Sequence, residues 1–321
     1  MPSVARCFVT RQLPGPALDR LKAGHDVKIW QQRLPPTPSE LAHEAKDAEG
    51  LLSLLTDHVD ESLISQLPYL KAISNYAVGV DNVDLEAATR RGIPVGNTPD
   101  VLTDATADLT FALLLAAARR LPEAIQAAKE GDWVTWEPAM HLGQEVYGTT
   151  LGIIGFGRIG RAVAERAKGF SMRVLTATAR EGLSEPLKEL LREADFVSVH
   201  CPLTPETHHL MDAEALALMG PNSILINTAR GPIVDPKALR QALEQGGIAA
   251  AALDVTEPEP LPAGDPLLTT KNLIIAPHIG SATRAAREKM ASLAVGNLLA
   301  ALDGKPMPHQ ANVISATTTA N

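Results

Sequence analysis

Three short stretches carry side chains that could do polar chemistry together: N-T-A-R-G at 227–231, L-D-V-T-E-P-E-P at 253–260 and A-P-H-I-G at 276–280. They supply Arg230, Glu259 and His278, which are a fixed cation, a carboxylate and an imidazole. Each alone has a plainer reading: a surface-paired arginine, a glutamate solvating a proline-rich loop, a satisfied histidine beside Pro277. As a set they are complementary. Reducing a 2-keto acid takes a hydride donor, a proton for the developing alkoxide and a cation for the carboxylate. His278 suits the proton, since imidazole titrates near neutral pH. Glu259 beside it would favour the imidazolium and orient the ring. Arg230 can hold the carboxylate and polarise the carbonyl.

A fourth stretch offers a seat for the hydride donor. In T-L-G-I-I-G-F-G-R-I-G, Gly155, Gly157 and Gly160 form G-x-G-x-x-G between a strand-like run and a helix-like one. A glycine triplet alone marks a turn just as well. In this context Gly155 allows the tight turn, Gly157 lets the backbone approach a pyrophosphate, and Gly160 permits close helix–sheet packing. The N–H groups of Gly157, Arg158 and Ile159 would face the phosphates at the positive end of the helix dipole.

Which dinucleotide fits is written in L-T-A-T-A-R-E, residues 175–181. An NAD site places an acid about 20 residues on, where it accepts hydrogen bonds from the ribose 2′-OH. Here Thr178 stands 18 residues after Gly160, followed by Ala179 and Arg180. A threonine does not repel a 2′-phosphate, and Arg180 could pair with it. NADPH is therefore expected over NADH. If Arg180 is only a solvated loop residue, either cofactor binds.

These residues need strands and helices to position them. Apolar runs fall in two series separated by helix-length segments. The first is A-R-C-F-V-T, D-V-K-I-W, G-L-L-S-L-L, K-A-I-S-N-Y-A and I-P-V-G-N. The second is T-T-L-G-I-I-G, M-R-V-L-T-A-T, D-F-V-S-V-H, S-I-L-I-N-T, A-A-A-A-L-D-V and N-L-I-I-A-P. Continuous apolar runs predict strands covered on both faces, hence α/β architecture with parallel sheets. Residues 101–131 read as a long helix, bent or broken near Pro122, and a last helix ends at Gly304. The expected organisation is two Rossmann-like or flavodoxin-like domains. Residues 102–284 form a dinucleotide-binding domain inserted into a substrate domain of 1–101 and 285–321, with a cleft between them.

Composition agrees with such a protein and narrows its partners. A chain of 321 residues exceeds one typical core. A net charge of −8 argues against nucleic acid or an anionic membrane as the main partner. F-A-L-L-L-A-A-A at 111–118 is too short for a span of roughly twenty residues. The start lacks the apolar core of a signal peptide, and the T-T-T-A-N end reads as frayed and free of targeting signals. Cys7 and Cys201 have no framework or metal-ligand spacing, so a reducing, cytoplasmic setting without a required metal is expected.

The ordered series G-F-G-R-I-G, N-T-A-R-G, L-D-V-x-x-x-E-P and P-H-I-G resembles the D-isomer-specific 2-hydroxyacid dehydrogenase family. The likeness extends through N-Y-A-V-G-V-D-N-V-D-L and G-I-P-V-G-N-T-P-D-V-L-T-D-A-T-A-D. The glyoxylate/hydroxypyruvate reductase branch is most similar, through L-L-S-L-L-T-D-H-V-D, R-R-L-P-E-A-I, W-V-T-W-E-P and A-L-D-V-T-E-P-E-P-L-P. The resemblance implies Arg230 as substrate-binding arginine, Glu259 as acid partner and His278 as proton donor. It implies that the Val78 and Gly79 amides hold the substrate carboxylate and that Leu55 and Thr56 face the substrate. Around the cofactor it implies Thr106, His200, Cys201, Pro202, Thr228, Ala229, Asp254 and Gly280. It further implies a homodimer in which Trp136 reaches a neighbouring subunit's active site. Rival readings on the same fold are dehydrogenases of lactate, phosphoglycerate, formate or phosphite, and, in another class, a nucleotide-sensing corepressor-like protein.

Overall fold

The structure is a computed structural model describing residues 4–314; the T-T-T-A-N end lies outside the described residues. The chain divides into two compact units. One runs through Leu102 and resumes at Ala282; the other spans Thr103–Ser281.

In the first unit, strands β1 (Arg6–Val9), β2 (Asp26–Ile29), β3 (Gly50–Ser53), β4 (Ala72–Asn75) and β5 (Val95–Gly96) alternate with helices. These are α1 (Ala17–Lys22), α2 (Pro38–Ala45), α3 (Glu61–Gln66) and α4 (Leu85–Arg90). The sheet order is β2-β1-β3-β4-β5, all parallel. That is the flavodoxin-like doubly wound order. Every residue of β3 and β4 is buried, which is why their sequences lack an alternating pattern. Helix starts are written locally: Thr37 and Glu40 form a capping box on α2, while Asp60 and Asp84 cap α3 and α4.

The second unit opens with α5 (Thr103–Ala118) and α6 (Leu121–Glu130). A six-stranded parallel sheet follows: β6 (Thr150–Ile154), β7 (Arg173–Ala177), β8 (Phe196–Val199), β9 (Ile224–Asn227), β10 (Ala250–Leu253) and β11 (Leu273–Ile275). Between its strands lie α7 (Arg158–Ala167), α8 (Glu185–Glu193), α9 (Ala213–Met219) and α10 (Pro236–Glu244). The order β11-β10-β9-β8-β6-β7 reverses direction at β6, creating a switch point between β6 and β8. Cores form on both faces. Phe111, Leu114, Val163 and Ile153 share one, and Leu187, Leu191, Met211 and Leu239 the other.

Among the described residues, all eleven strands fall within the apolar runs that predict them. The long helix of 101–131 differs in where it breaks. Arg120, with left-handed φ of 51°, separates α5 from α6, and Pro122 lies in the first turn of α6. There a missing N–H costs nothing, so the proline begins a helix instead of kinking one.

The final helix, α11 (Arg284–Leu302), returns to the first unit and packs on β3, β4 and α1. The Ser74 hydroxyl donates to the Ala294 carbonyl at 2.8 Å, and Tyr76 Oη to that of Arg287 at 2.8 Å. Buried Asn297 donates to the Asn97 carbonyl at 2.9 Å and accepts from the His309 amide at 3.0 Å. Gly304, at φ 72°, ends the turn after the helix.

Candidate active site

Strands β9, β10 and β11 are neighbours in register, with Asn227 and Ile275 both aligned with Leu253. Arg230, Glu259 and His278 therefore leave the carboxyl ends of three adjacent strands, where open α/β sheets bind ligands. Glu259 Oε1 lies 2.5 Å from His278 Nδ1, and both side chains are partly exposed. Its other oxygen accepts from the Thr256 amide at 3.3 Å. His278 sits in the left-handed region at φ 54°, and its amide donates to the Asp254 carbonyl at 2.9 Å. Half-buried Arg230 donates through Nη1 to the Ala229 carbonyl at 2.8 Å.

Asp254 underpins the histidine loop. Its two carboxylate oxygens accept from the Ile279 and Gly280 amides, each at 2.7 Å. Burial pushes its carboxyl up from the ordinary range, partly opposed by those two amides. A Cβ on Gly280 would stand 3.1 Å from Asp254 Oδ2 and 3.4 Å from Thr106 Oγ1, so these three residues converge. Thr228 is buried, and its hydroxyl lies 3.0 Å from that of Thr110 on α5.

The glycine-rich turn lies at the β6–β8 switch point. Gly155 has φ of 94°, and a Cβ there would stand 2.6 Å from the Cys201 amide nitrogen. A Cβ on Gly160 would meet the Gly155 carbonyl at 2.4 Å. Around Gly157 nothing lies within 4 Å of the Cβ position. Helix α7, which begins with Arg158 and Ile159, has no side-chain cap. Two glycines thus serve close packing, and the third leaves an open approach to an uncapped helix end. That arrangement fits a dinucleotide pyrophosphate. Beside it, the His200 amide donates to the Ile154 carbonyl at 2.8 Å, and His200 Nε2 lies 2.7 Å from Ser198 Oγ. Burial pushes the His200 imidazole down to about 3, so it stays neutral. Cys201 is buried with its thiol pushed up to about 11, and Pro202 is exposed.

Thr178 follows the end of β7 and is exposed, as is Arg180; Ala179 between them is buried. The Arg180 amide donates to Thr178 Oγ1 at 3.3 Å, which leaves the threonine proton available to a ligand.

Leu55, Thr56, Val78 and Gly79 belong to the first unit. Asn82 ties their loops together, donating to the carbonyls of Leu54 at 3.0 Å and Asp57 at 2.9 Å. The Asn75 side chain donates to the Gly79 carbonyl at 3.0 Å, and that of Asn97 to Val78 at 2.8 Å. A trans peptide points its N–H opposite its C=O, so the Gly79 amide faces away from Asn97. Buried Asp57 accepts from Thr10 Oγ1 at 2.5 Å and the Leu54 amide at 2.7 Å. Trp136, on the 131–147 segment of the second unit, is 76% exposed, and Trp133 and Val134 are exposed too.

Two residues that shape the site carry no role in the sequence reading. Asn227 accepts from the Ala229 amide at 3.0 Å and donates to the Arg230 carbonyl at 2.8 Å, folding N-T-A-R into a tight turn. Its signal was present, because asparagine side chains close such turns. A Cβ on Gly231 would lie 1.9 Å from the Thr256 carbonyl, so only glycine lets the arginine loop abut the glutamate loop. No local pattern announces that long-range approach.

Residues 111–280 match the family profile described as D-isomer specific 2-hydroxyacid dehydrogenase, NAD binding domain. A glyoxylate reductase of Korarchaeum cryptofilum is 47% identical over 317 residues, covering 96% of either chain. A Thermus thermophilus protein of solved structure superposes with a TM-score of 0.89 at 50% identity, covering 95% of this chain and 99% of the other. The NADPH-dependent glyoxylate/hydroxypyruvate reductase of Sinorhizobium meliloti, solved with NADP and malonate, gives a TM-score of 0.85 at 34% identity, covering 96% and 97%.

Proposed function

The chain belongs to the D-isomer specific 2-hydroxyacid dehydrogenase family and is an NAD(P)-dependent oxidoreductase, and from that premise we propose a specific activity. It reduces small 2-keto acids, glyoxylate to glycolate and hydroxypyruvate to D-glycerate, with NADPH preferred over NADH. The observation that carries the reading is the Glu259–His278 pair at 2.5 Å beside the strand that presents Arg230.

The nicotinamide cofactor, when bound, supplies hydride to the carbonyl carbon. With Nδ1 of His278 engaged by Glu259, Nε2 holds the proton that passes to the substrate oxygen, and Glu259 stabilises the ring while it is charged. Arg230 fixes the substrate carboxylate and draws electron density from the carbonyl. The Val78 and Gly79 amides supply further donors to that carboxylate, and Leu55 and Thr56 limit substrate size. Gly155, Gly157 and Gly160 with the start of α7 hold the pyrophosphate, and Thr178 with Arg180 receives the 2′-phosphate. Thr106, Thr228, Ala229, Asp254 and Gly280 surround the nicotinamide, and His200, Cys201 and Pro202 the adenosine. The domain roles follow: Thr103–Ser281 binds the dinucleotide, and the unit completed by α11 binds the substrate.

Buried thiols at Cys7 and Cys201, pushed up to about 12 and 11, are inert and accord with a cytoplasmic enzyme. Among the described residues no helix is long and apolar enough to cross a membrane.

A kinetic panel tests the proposal: glyoxylate, hydroxypyruvate, pyruvate and phosphoglycerate, each with NADPH and NADH, followed by loss of reduced-nicotinamide absorbance. The first two substrates with NADPH are expected to give the highest kcat/KM. No turnover with any 2-keto acid would favour the nucleotide-sensing protein instead. Arg180→Ala should raise the KM for NADPH roughly tenfold or more while leaving that for NADH nearly unchanged. Equal changes would remove Arg180 as the phosphate reader.

A further inference from the structure

The loops around Glu259 assemble a second cluster. His208 closes a turn, its amide donating to the Thr204 carbonyl at 2.9 Å, and His209 follows with a left-handed φ of 52°. The His208 and His209 rings stack, their centroids 4.0 Å apart and their planes inclined by 28°. Both face one carboxylate. Glu257 Oε1 lies 3.7 Å from His208 Nε2, and Oε2 lies 2.6 Å from His209 Nε2. One ligand atom from each residue falls within 4.8 Å of the other two.

From this arrangement we propose a divalent-cation site of two imidazoles and one carboxylate, with zinc as its cation. Nitrogen and carboxylate donors in a two-to-one set match zinc and its neighbours, whereas magnesium and calcium take oxygen. Tetrahedral ligand atoms about 2.0–2.1 Å from zinc lie roughly 3.3 Å apart, so the widest pair closes by no more than about 1.5 Å. The half-exposed His208 can make that movement by side-chain rotation. Binding exchanges the His209–Glu257 hydrogen bond for two metal bonds and releases any proton that the imidazoles carry. Water completes the coordination on the exposed side.

Both segments are fixed before the cation arrives. The His209 amide donates to the Pro232 carbonyl at 2.8 Å and that of Met211 to Ile233 at 3.0 Å, joining the histidines to the chain just beyond Arg230. On the other side, Thr256 Oγ1 donates to the Pro258 carbonyl at 2.9 Å, closing the turn that holds Glu257. An occupied site would clamp these two loops together. The donor spacing H-H at 208–209 with a glutamate 48 residues later matches no sequence pattern for zinc; the fold alone creates it.

Titration calorimetry of zinc chloride into chelator-treated, tag-free full-length protein tests the site. One saturable equivalent per chain is expected, and His208→Ala and Glu257→Gln should each weaken binding at least about tenfold. His43→Ala, on an exposed face of α2, should leave the affinity unchanged. Circular dichroism of each variant checks that it remains folded. Absence of saturable binding in the folded wild type overturns the proposal. So does binding that survives both substitutions, since the zinc would then sit elsewhere.

Discussion

In the proposed reaction, Glu259 and His278 divide the handling of one proton between them. The glutamate holds Nδ1, so the other ring nitrogen is the one able to give a proton to a substrate oxygen. The backbone at His278 is left-handed, and asparagine adopts that conformation more readily than alanine. His278→Asn is therefore the cleaner test, removing the imidazole while keeping the turn. It is expected to lower kcat about 10²–10⁴-fold with the NADPH dissociation constant, followed by fluorescence, nearly unchanged. Turnover at the wild-type level would show that the proton comes from elsewhere. Individual residue types made this pair legible in the sequence, because few side chains can transfer a proton near neutral pH.

At the scale of elements, the proposed site depends on three strands ending level with one another and on their loops touching. Gly231 controls that touch. Gly231→Ala forces a Cβ against the Thr256 carbonyl and should cost about 1–3 kcal/mol of stability along with most of the turnover. Gly246→Ala is the matched control: its φ is 70° but nothing lies within 4 Å, so only backbone strain of about 1–2 kcal/mol applies. Thermal unfolding and kcat/KM of the two variants decide the matter, and equal behaviour would show that the loop contact has no special weight. The strands themselves were legible, since G-L-L-S and A-I-S-N buried on both faces are apolar without alternation. The helix break was legible only approximately. Pro122 is visible in sequence, but the left-handed turn is made by Arg120, a residue with no special preference for it. Gly231 and the pair His208–His209 stayed hidden for a related reason. Their neighbours, Thr256 and Glu257, come from a loop that only the finished sheet brings near.

For the molecule as a whole, acid stability carries the imprint of His200. Its imidazole is held neutral at about 3 by burial, against 6.5 for an ordinary histidine. A depressed histidine leaves stability intact above 6.5 and costs stability as pH falls from there towards 3, because only the unfolded chain takes up the proton. The loss should reach about 1–2 kcal/mol by pH 5, discounted for the ring's partial exposure. His200→Gln should flatten the fall in melting temperature between pH 7 and 5; an unchanged slope in this variant would assign the effect to other groups. Assembly is a second molecular property. Leu121, Ile125, Trp133, Val134, Trp136, Leu142 and Tyr147 expose apolar surface along 121–147, around the D-W-V-T-W-E-P segment whose Trp136 the family resemblance places at a homodimer contact; we propose this stretch as a dimerisation arm. Light scattering should return twice the 34.1 kDa of one chain, and Trp133→Ser combined with Trp136→Ser should shift it towards the single mass. A single-chain mass at all concentrations would rule the arm out. The helix that closes the first unit is contributed from beyond the second: in chain order α11 follows Ser281, so β3 and β4 gain that cover only after all of Thr103–Ser281 has been synthesised. The second unit, continuous in sequence, carries no such dependence.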